Sequence, residues 1–164
     1  MRTNLSSQIS LNRVSTRYYK PENTIERSVL TRFEKIPTNI YETVDEGVSC
    51  IADEIIRKVQ ERQRDGKFCT IATGTGASLR PLFAELVRRH KEEGVSFRNV
   101  VVFNLYEYYP LTEPNNSSFN QLNELFLKQV DIDPQNVFTL NGTIPQEGVI
   151  DHCHLYEQRI KTYG

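Results

Sequence analysis

The run Val100-Val-Val-Phe-Asn-Leu105 leaves few folds open to this chain. It is β-branched and uncharged, with no alternate position set aside for water, so as a strand it must be covered on both faces. Upstream, Phe68-Cys-Thr-Ile-Ala72 reads the same way. Between the two runs Leu79, Leu82, Phe83, Leu86 and Val87 share one helical stripe, and Gly94 supplies a stop. A strand, a helix and a second strand within roughly 35 residues make a βαβ crossover. An α/β fold with a parallel sheet is therefore expected.

The turn inside that unit is Thr73-Gly-Thr-Gly-Ala-Ser78. A strand, a glycine/hydroxyl loop and a helix N-terminus, in that order, favour an anion: glycines allow close backbone approach, free N–H groups point outward, and the helix dipole is positive there. Phosphate is the natural guest. A dinucleotide fingerprint needs a third glycine where Leu79 stands, and a P-loop needs a Gly-Lys pair that is absent, so both nucleotide readings are weak. The plain alternative is a tight βα turn in which both glycines serve geometry alone.

The 164 residues suffice for one domain with a real core, and a net charge of −1 with interleaved acids and bases gives no footprint for nucleic acid. No apolar run approaches the ~20 residues of a membrane span, and the N-terminus has no signal-peptide core. Cys50, Cys69 and Cys153 are widely spaced, without a C-x-x-C pair, and are expected to be buried thiols in a reducing compartment, the cytoplasm.

Residues 1–36 read as an N-terminal extension. Its start is a polar arm, and one helix over 22–36 carries Ile25, Val29, Phe33 and Ile36 and stops at Pro37. From residue 37 the main domain begins. Thr43-Val-Asp-Glu46 is a capping box opening a helix with Val48, Ile51, Ile55 and Val59 inward, closed by Gly66. Ser118-x-x-Gln121 is a second capping box, for a helix carrying Phe119, Leu122, Phe126 and Val130. Val137–Leu140 reads as a third strand, and 147–163 as a last helix with Val149, Cys153, Tyr156 and Ile160 inward. Ending at Gly164, where a C-cap would lead into another strand, the chain is expected to be cut short.

Loops at the C-terminal ends of parallel strands line ligand crevices. Tyr106 and Glu107 lie there, followed by Tyr108, Tyr109 and a proline-marked stretch. Glu107 is a candidate acid or base, or a solvated loop carboxylate; Tyr106 suits a hydrogen-bond donor, since a phenol with its usual pKa near ~10 is a base only when strongly perturbed. His152 and His154, two apart on a helix, diverge and cannot chelate. His90, near a helix C-terminus, reads as structural.

Three blocks besides the glycine loop give the chain a familiar pattern: Gly94-Val-Ser-Phe-Arg-Asn-Val-Val-Val-Phe-Asn-Leu-Tyr-Glu-Tyr108, Val130-Asp-Ile-Asp133 and Tyr156-Glu-Gln-Arg-Ile-Lys-Thr-Tyr-Gly164. From about Ile40 to Gly164 it resembles the N-terminal half of glucosamine-6-phosphate deaminases/isomerases, a deaminase-like branch with an N-terminal extension. The resemblance implies a Rossmann-like parallel sheet flanked by helices, sugar phosphate on the glycine loop at Thr73, Gly74, Thr75, Gly76 and Ser78, no metal or redox cofactor, and a homo-oligomer. It implies ring opening, proton transfer from C2 to C1 by a carboxylate, and ammonia release. In that family an aspartate stands where this chain has Tyr106, and Glu107 matches the supporting glutamate. Either Glu107 has become the base, or the chain retains a non-catalytic, sugar-phosphate-binding or regulatory role. The ring-opening histidine of the family falls beyond Gly164, so these 164 residues are expected to be inactive alone.

Overall fold

A computed structural model describes residues 23–25 and 39–163. The chain divides into two units, Met1–Glu42 and Thr43–Gly164, and the sheet belongs to the second. The helix expected over 22–36 lies outside the described residues except for its first few positions.

Three parallel strands form one sheet in the order β1-β2-β3: β1 is Cys69–Thr73, β2 is Val100–Asn104 and β3 is Val137–Phe138. Four α-helices flank it: α1 (Val44–Arg64), α2 (Arg80–Glu93), α3 (Ser118–Leu125) and α4 (Val149–Tyr163). Among the described residues no helix is long and apolar enough to cross a membrane.

β2 is central and buried at all five positions, as its composition demands. One sheet face carries Val100 and Val102 into a core shared with α1, α2 and α3. Phe126 stacks on Phe83 at 5.4 Å and meets Phe97 edge-on at 5.7 Å. Each such ring, wholly withdrawn from water, contributes about 2–3 kcal/mol. The other face carries Val101 and Phe103 against Tyr156 of α4, with Phe138, Leu140 and Tyr163 around them.

β1 departs from expectation. Its burial alternates, and Thr70 and Ala72 are exposed, so it is not covered on both faces among the described residues. Among the described residues, the face that Thr70 and Ala72 share with Val101 and Phe103 is packed over β2 and β3 but not over β1. Near its start, the Thr70 hydroxyl donates to the carbonyl of Tyr163 at 2.8 Å.

Helix α1 begins at Thr43, whose Oγ1 accepts from the Glu46 amide, and Gly66 follows its end at φ 66°. Its inward face differs from the expected stripe: Ala52, Ile56 and Val59 are buried, Ile55 packs at their margin, and Ile51 is exposed. Two apolar rows compete on this helix, and the row containing the small Ala52 faces the core. Between the helices, Arg89 of α2 bonds Asp53 of α1 at 2.9 Å and Glu85 at 2.7 Å. Arg88 grips the same Glu85 with two nitrogens, holding that carboxyl down at about 2. Gly94 closes α2 in the left-handed conformation, φ 72°.

Three further boundaries are corrected. The N-cap of α3 is Ser117, whose hydroxyl accepts from the Asn120 amide, and not Ser118; the helix ends at Leu125. The third strand is two residues long and does not reach Leu140. On α4 only Tyr156 is buried; Ile160 and Cys153 are exposed. Cys50 is exposed too and Cys69 is half-buried, so the expectation of buried thiols fails. Surface helix positions, not the core, carry two of the three.

Candidate functional site

Thr73 and Asn104 are partners across β1 and β2, and the Leu105 amide donates to the Thr73 carbonyl at 2.9 Å. The glycine loop and the loop after β2 therefore leave the sheet side by side. Tyr106 spans them. Its ring stands over Gly74, where a Cβ would sit 2.7 Å from Tyr106 Cε1. Its hydroxyl lies 3.4 Å from Thr75 Oγ1.

Below the phenol is a buried polar cluster. Thr75 Oγ1 is 3.1 Å from Ser118 Oγ, and Ser118 donates to Asn104 Oδ1 at 3.3 Å. Asn104 Nδ2 donates to the Tyr106 carbonyl at 2.9 Å, and the Tyr156 hydroxyl donates to the Asn104 carbonyl at 2.7 Å. Burial pushes the Tyr156 phenol up to about 12. The Tyr106 phenol shifts the other way, below its ordinary value, because the side chain and backbone of Thr75 hydrogen-bond to it.

Glu107 points away from this cluster toward the start of α3. Its Oε2 accepts from Ser117 Oγ at 2.7 Å and the Phe119 amide at 3.1 Å; its Oε1 accepts from the amides of Ser118 at 2.9 Å and Tyr108 at 3.0 Å. A carboxylate at a helix N-terminus satisfies amides that the helix cannot, and meets a favourable dipole. Burial pushes this carboxyl up, but the bonds from Ser117, Ser118, Phe119 and Tyr108 outweigh it and hold it below the usual range. The arrangement anchors the loop to the helix.

The rest of the glycine loop is more open. Thr73 Oγ1 donates to the Gly74 carbonyl at 3.2 Å. Gly76 precedes a 3-10 turn, Ala77–Leu79, and caps it with no side chain, and Ser78 is exposed on that turn. A Cβ on Gly76 would meet only Ser78 Oγ, at 3.8 Å. Gly74 is thus required by Tyr106, whereas Gly76 faces open space. A cleft of about 370 Å³ nearby is lined by Tyr108, Pro110, Leu111, Thr112, Asn116 and Gln121, and takes nothing from the glycine loop.

The histidines stand apart from this region. His90 Nδ1 pairs with the Val95 carbonyl at 2.6 Å, a structural bond at the end of α2. His152 Nε2 accepts from the Asn141 amide at 2.9 Å, and His154 is exposed beside Glu157. Among the described residues no three His, Cys, Asp or Glu side chains are grouped to hold a metal.

The family described as glucosamine-6-phosphate isomerases/6-phosphogluconolactonase matches residues 42–164. The chain belongs to this family. A glucosamine-6-phosphate deaminase-like protein of Bacteroides thetaiotaomicron is 58% identical over 165 residues, covering 100% of this chain and 25% of its own length. The glucosamine-6-phosphate deaminase of Aeromonas hydrophila is 37% identical over 91 residues, 55% of this chain and 34% of its own. Among solved structures, a monomeric glucosamine-6-phosphate deaminase superposes with TM-score 0.65 at 26% identity, over 74% of this chain and 48% of the other. The 6-phosphogluconolactonase of Thermotoga maritima shares the fold, with TM-score 0.57 at 19% identity over 71% of this chain and 50% of its own. As a member of the glucosamine-6-phosphate isomerase family, the chain spans at most about half the length of these relatives.

Sequence reasoning missed Ser117, Ser118 as a site residue, Asn104, Gly142 and Tyr156. Asn104 had a signal: it is the one polar side chain in an otherwise apolar run. Gly142 had a weaker one. A Cβ there would lie 2.2 Å from the Tyr108 carbonyl oxygen and 2.8 Å from Leu111 Cβ, so the loop carrying Glu107 rests directly on its backbone.

Proposed function

We propose that the full-length protein binds amino-sugar phosphates and acts on them as a cytoplasmic deaminase/isomerase of carbohydrate metabolism, with this chain supplying the phosphate loop and one wall of the sugar site. The observation that carries this reading is the placement of the loop. Gly76 opens an uncapped turn at the C-terminal end of β1, beside Tyr106 and the buried hydroxyls of Thr75 and Ser118. The first amides of such a turn have no partner within it and can donate to phosphate oxygens. Thr73, Gly74, Thr75, Gly76 and Ser78 are the phosphate-binding residues in this proposal, and Tyr106 lies toward the sugar.

Glu107 supports a second reading. A general base must be free to take a proton, and both oxygens of this carboxylate already accept two hydrogen bonds each. A non-catalytic sugar-phosphate-binding or regulatory role for this site holds if no other part of the protein provides a base. Ammonia release from glucosamine 6-phosphate by the full-length protein separates the readings. Release at an enzymatic rate supports the deaminase; saturable binding without release supports the second reading; neither binding nor release overturns both.

A further inference from the structure

The main chain around Tyr106 is fixed on both sides. The Leu105 amide donates to the Thr73 carbonyl and Asn104 Nδ2 to the Tyr106 carbonyl, both at 2.9 Å, and the Tyr108 amide donates to Glu107 Oε1 at 3.0 Å. Only the side chain is left free to turn. Its ring covers Gly74, and its hydroxyl lies 3.4 Å from Thr75 Oγ1, which is itself 3.1 Å from Ser118 Oγ. Thr75 is 6% exposed and Ser118 1%. Two of the five loop residues assigned to phosphate, Gly74 and Thr75, are thus buried under Tyr106, whereas Gly76 and Ser78 are exposed. The phenol oxygen is surrounded by donors. The side chain of Thr75, then its amide, and then the Ser118 hydroxyl hold the phenol below its ordinary pKa, against burial and the charge of Glu107. An amide can only donate, so the oxygen is an acceptor there whichever way the hydroxyl protons run.

We infer that the Tyr106 phenol is an internal stand-in for a ligand oxygen: it fills an oxyanion seat built by Thr75 and Ser118, and a phosphate on the glycine loop takes that seat only by turning the ring out. Magnitudes favour the exchange. The phenol contact, at 3.4 Å, is long beside the ~2.7–2.8 Å of an ordinary hydroxyl bond. A phosphate oxygen carries charge and bonds the same donors roughly twice as strongly. The ring also has somewhere to go, since Tyr106 is 41% exposed and meets the exposed Tyr108 only edge-on, at 6.2 Å. A side chain so placed turns quickly, so the cost falls on affinity and not on rate. Each molecule with the phenol seated is unable to bind fully, and the apparent affinity is reduced by that fraction. The inference rests on the phosphate-loop reading above. It adds a self-inhibiting contact by Tyr106 and a ligand-binding role for Ser118.

The test uses the full-length protein, with inorganic phosphate as the probe, titrated by calorimetry. Tyr106→Phe keeps the ring and removes the competing oxygen. It is expected to bind phosphate about three- to tenfold more tightly than the native protein. Tyr106→Ala removes the ring as well and is expected to bind at least as tightly as Tyr106→Phe. Adding Ser118→Ala to Tyr106→Phe takes away one wall of the seat and is expected to reverse the gain; a gain that survives it overturns the seat. The second readout is tyrosinate absorbance, native protein minus Tyr106→Phe, which isolates the ionisation of Tyr106. Saturating phosphate is expected to move that ionisation to higher pH, because the phenolate loses its donors and meets an anion. Equal or weaker phosphate binding by Tyr106→Phe, or an ionisation that phosphate leaves in place, overturns the inference while leaving the loop as a phosphate site. Absence of saturable phosphate binding in the native protein and in every variant overturns the phosphate-loop reading and this inference together.

Discussion

Ser117 Oγ and Glu107 Oε2 are 2.7 Å apart, and the same serine hydroxyl accepts the Asn120 amide at 3.1 Å. One hydroxyl thus caps α3 and holds the carboxylate that ties the end of β2 to that helix. Glu107→Gln is expected to destabilise the protein by about 2 kcal/mol, because its NH₂ group would face amide donors and leave them unpaired. Urea denaturation measures it. A change under about 0.5 kcal/mol would show that the four bonds do not hold the loop.

The same carboxylate gives a pH dependence. Its folded pKa is depressed, so its stabilisation is present above the unfolded value near ~4.3 and is lost as pH falls through the folded value. Asp131 behaves alike: burial pushes it up, but the Phe97 amide at 2.6 Å and Ser96 Oγ at 2.7 Å hold it down. Stability is expected to fall below about pH 4–5. Glu107→Gln and Asp131→Asn should each flatten that slope when denaturation is followed from pH 6 to 3.

Gly142→Ala is expected to cost about 3 kcal/mol, since the new Cβ would meet the Tyr108 carbonyl and Leu111, to which Gly142 is already bonded at 2.7 Å through its own carbonyl. Backbone atoms cannot swing aside. A melting temperature within a degree of the native protein would contradict this packing.

At Gly74 the obstacle is a side chain instead. Gly74→Ala is expected to displace the Tyr106 ring and cost about 1–2 kcal/mol, with most of that cost gone in a Tyr106→Ala background. A double-mutant cycle reads the coupling; additive effects would place the ring elsewhere. Gly76→Ala, which meets nothing closer than 3.8 Å, should leave stability within about 0.5 kcal/mol.

The parallel sheet was legible because Val100–Asn104 leaves no position for water, and the first helix start because Thr43 and Glu46 stand three apart. The glycine loop was legible as a turn. What Gly74 is for was not, since the ring over it comes from Tyr106, thirty-two positions away in sequence. The shift from Ser118 to Ser117 at the α3 cap has a similar cause. Both serines suit a cap, and Glu107, which binds the Ser117 hydroxyl and the Ser118 amide, is what distinguishes them. The inward row of α1 was misread because periodicity alone does not weigh an alanine that lets elements approach. Cys153 was misplaced for the opposite reason: its apolar character fits a stripe that α4 does not bury.

The strands lie side by side in the order in which they are made. On a ribosome, α1, β1, α2 and β2 can begin to assemble one face of the sheet once Asn104 has emerged, and α3 completes it with Leu122 and Phe126 soon after, through contacts that are short in sequence. The opposite face waits. Val101 and Phe103 are covered by Tyr156, whose hydroxyl reaches back 52 residues to the Asn104 carbonyl. At roughly 5–20 residues per second that interval lasts several seconds. For that time the nascent chain presents a valine and a phenylalanine on a formed but uncovered sheet, and this is the window in which a holdase would find it or a neighbouring copy would stick to it.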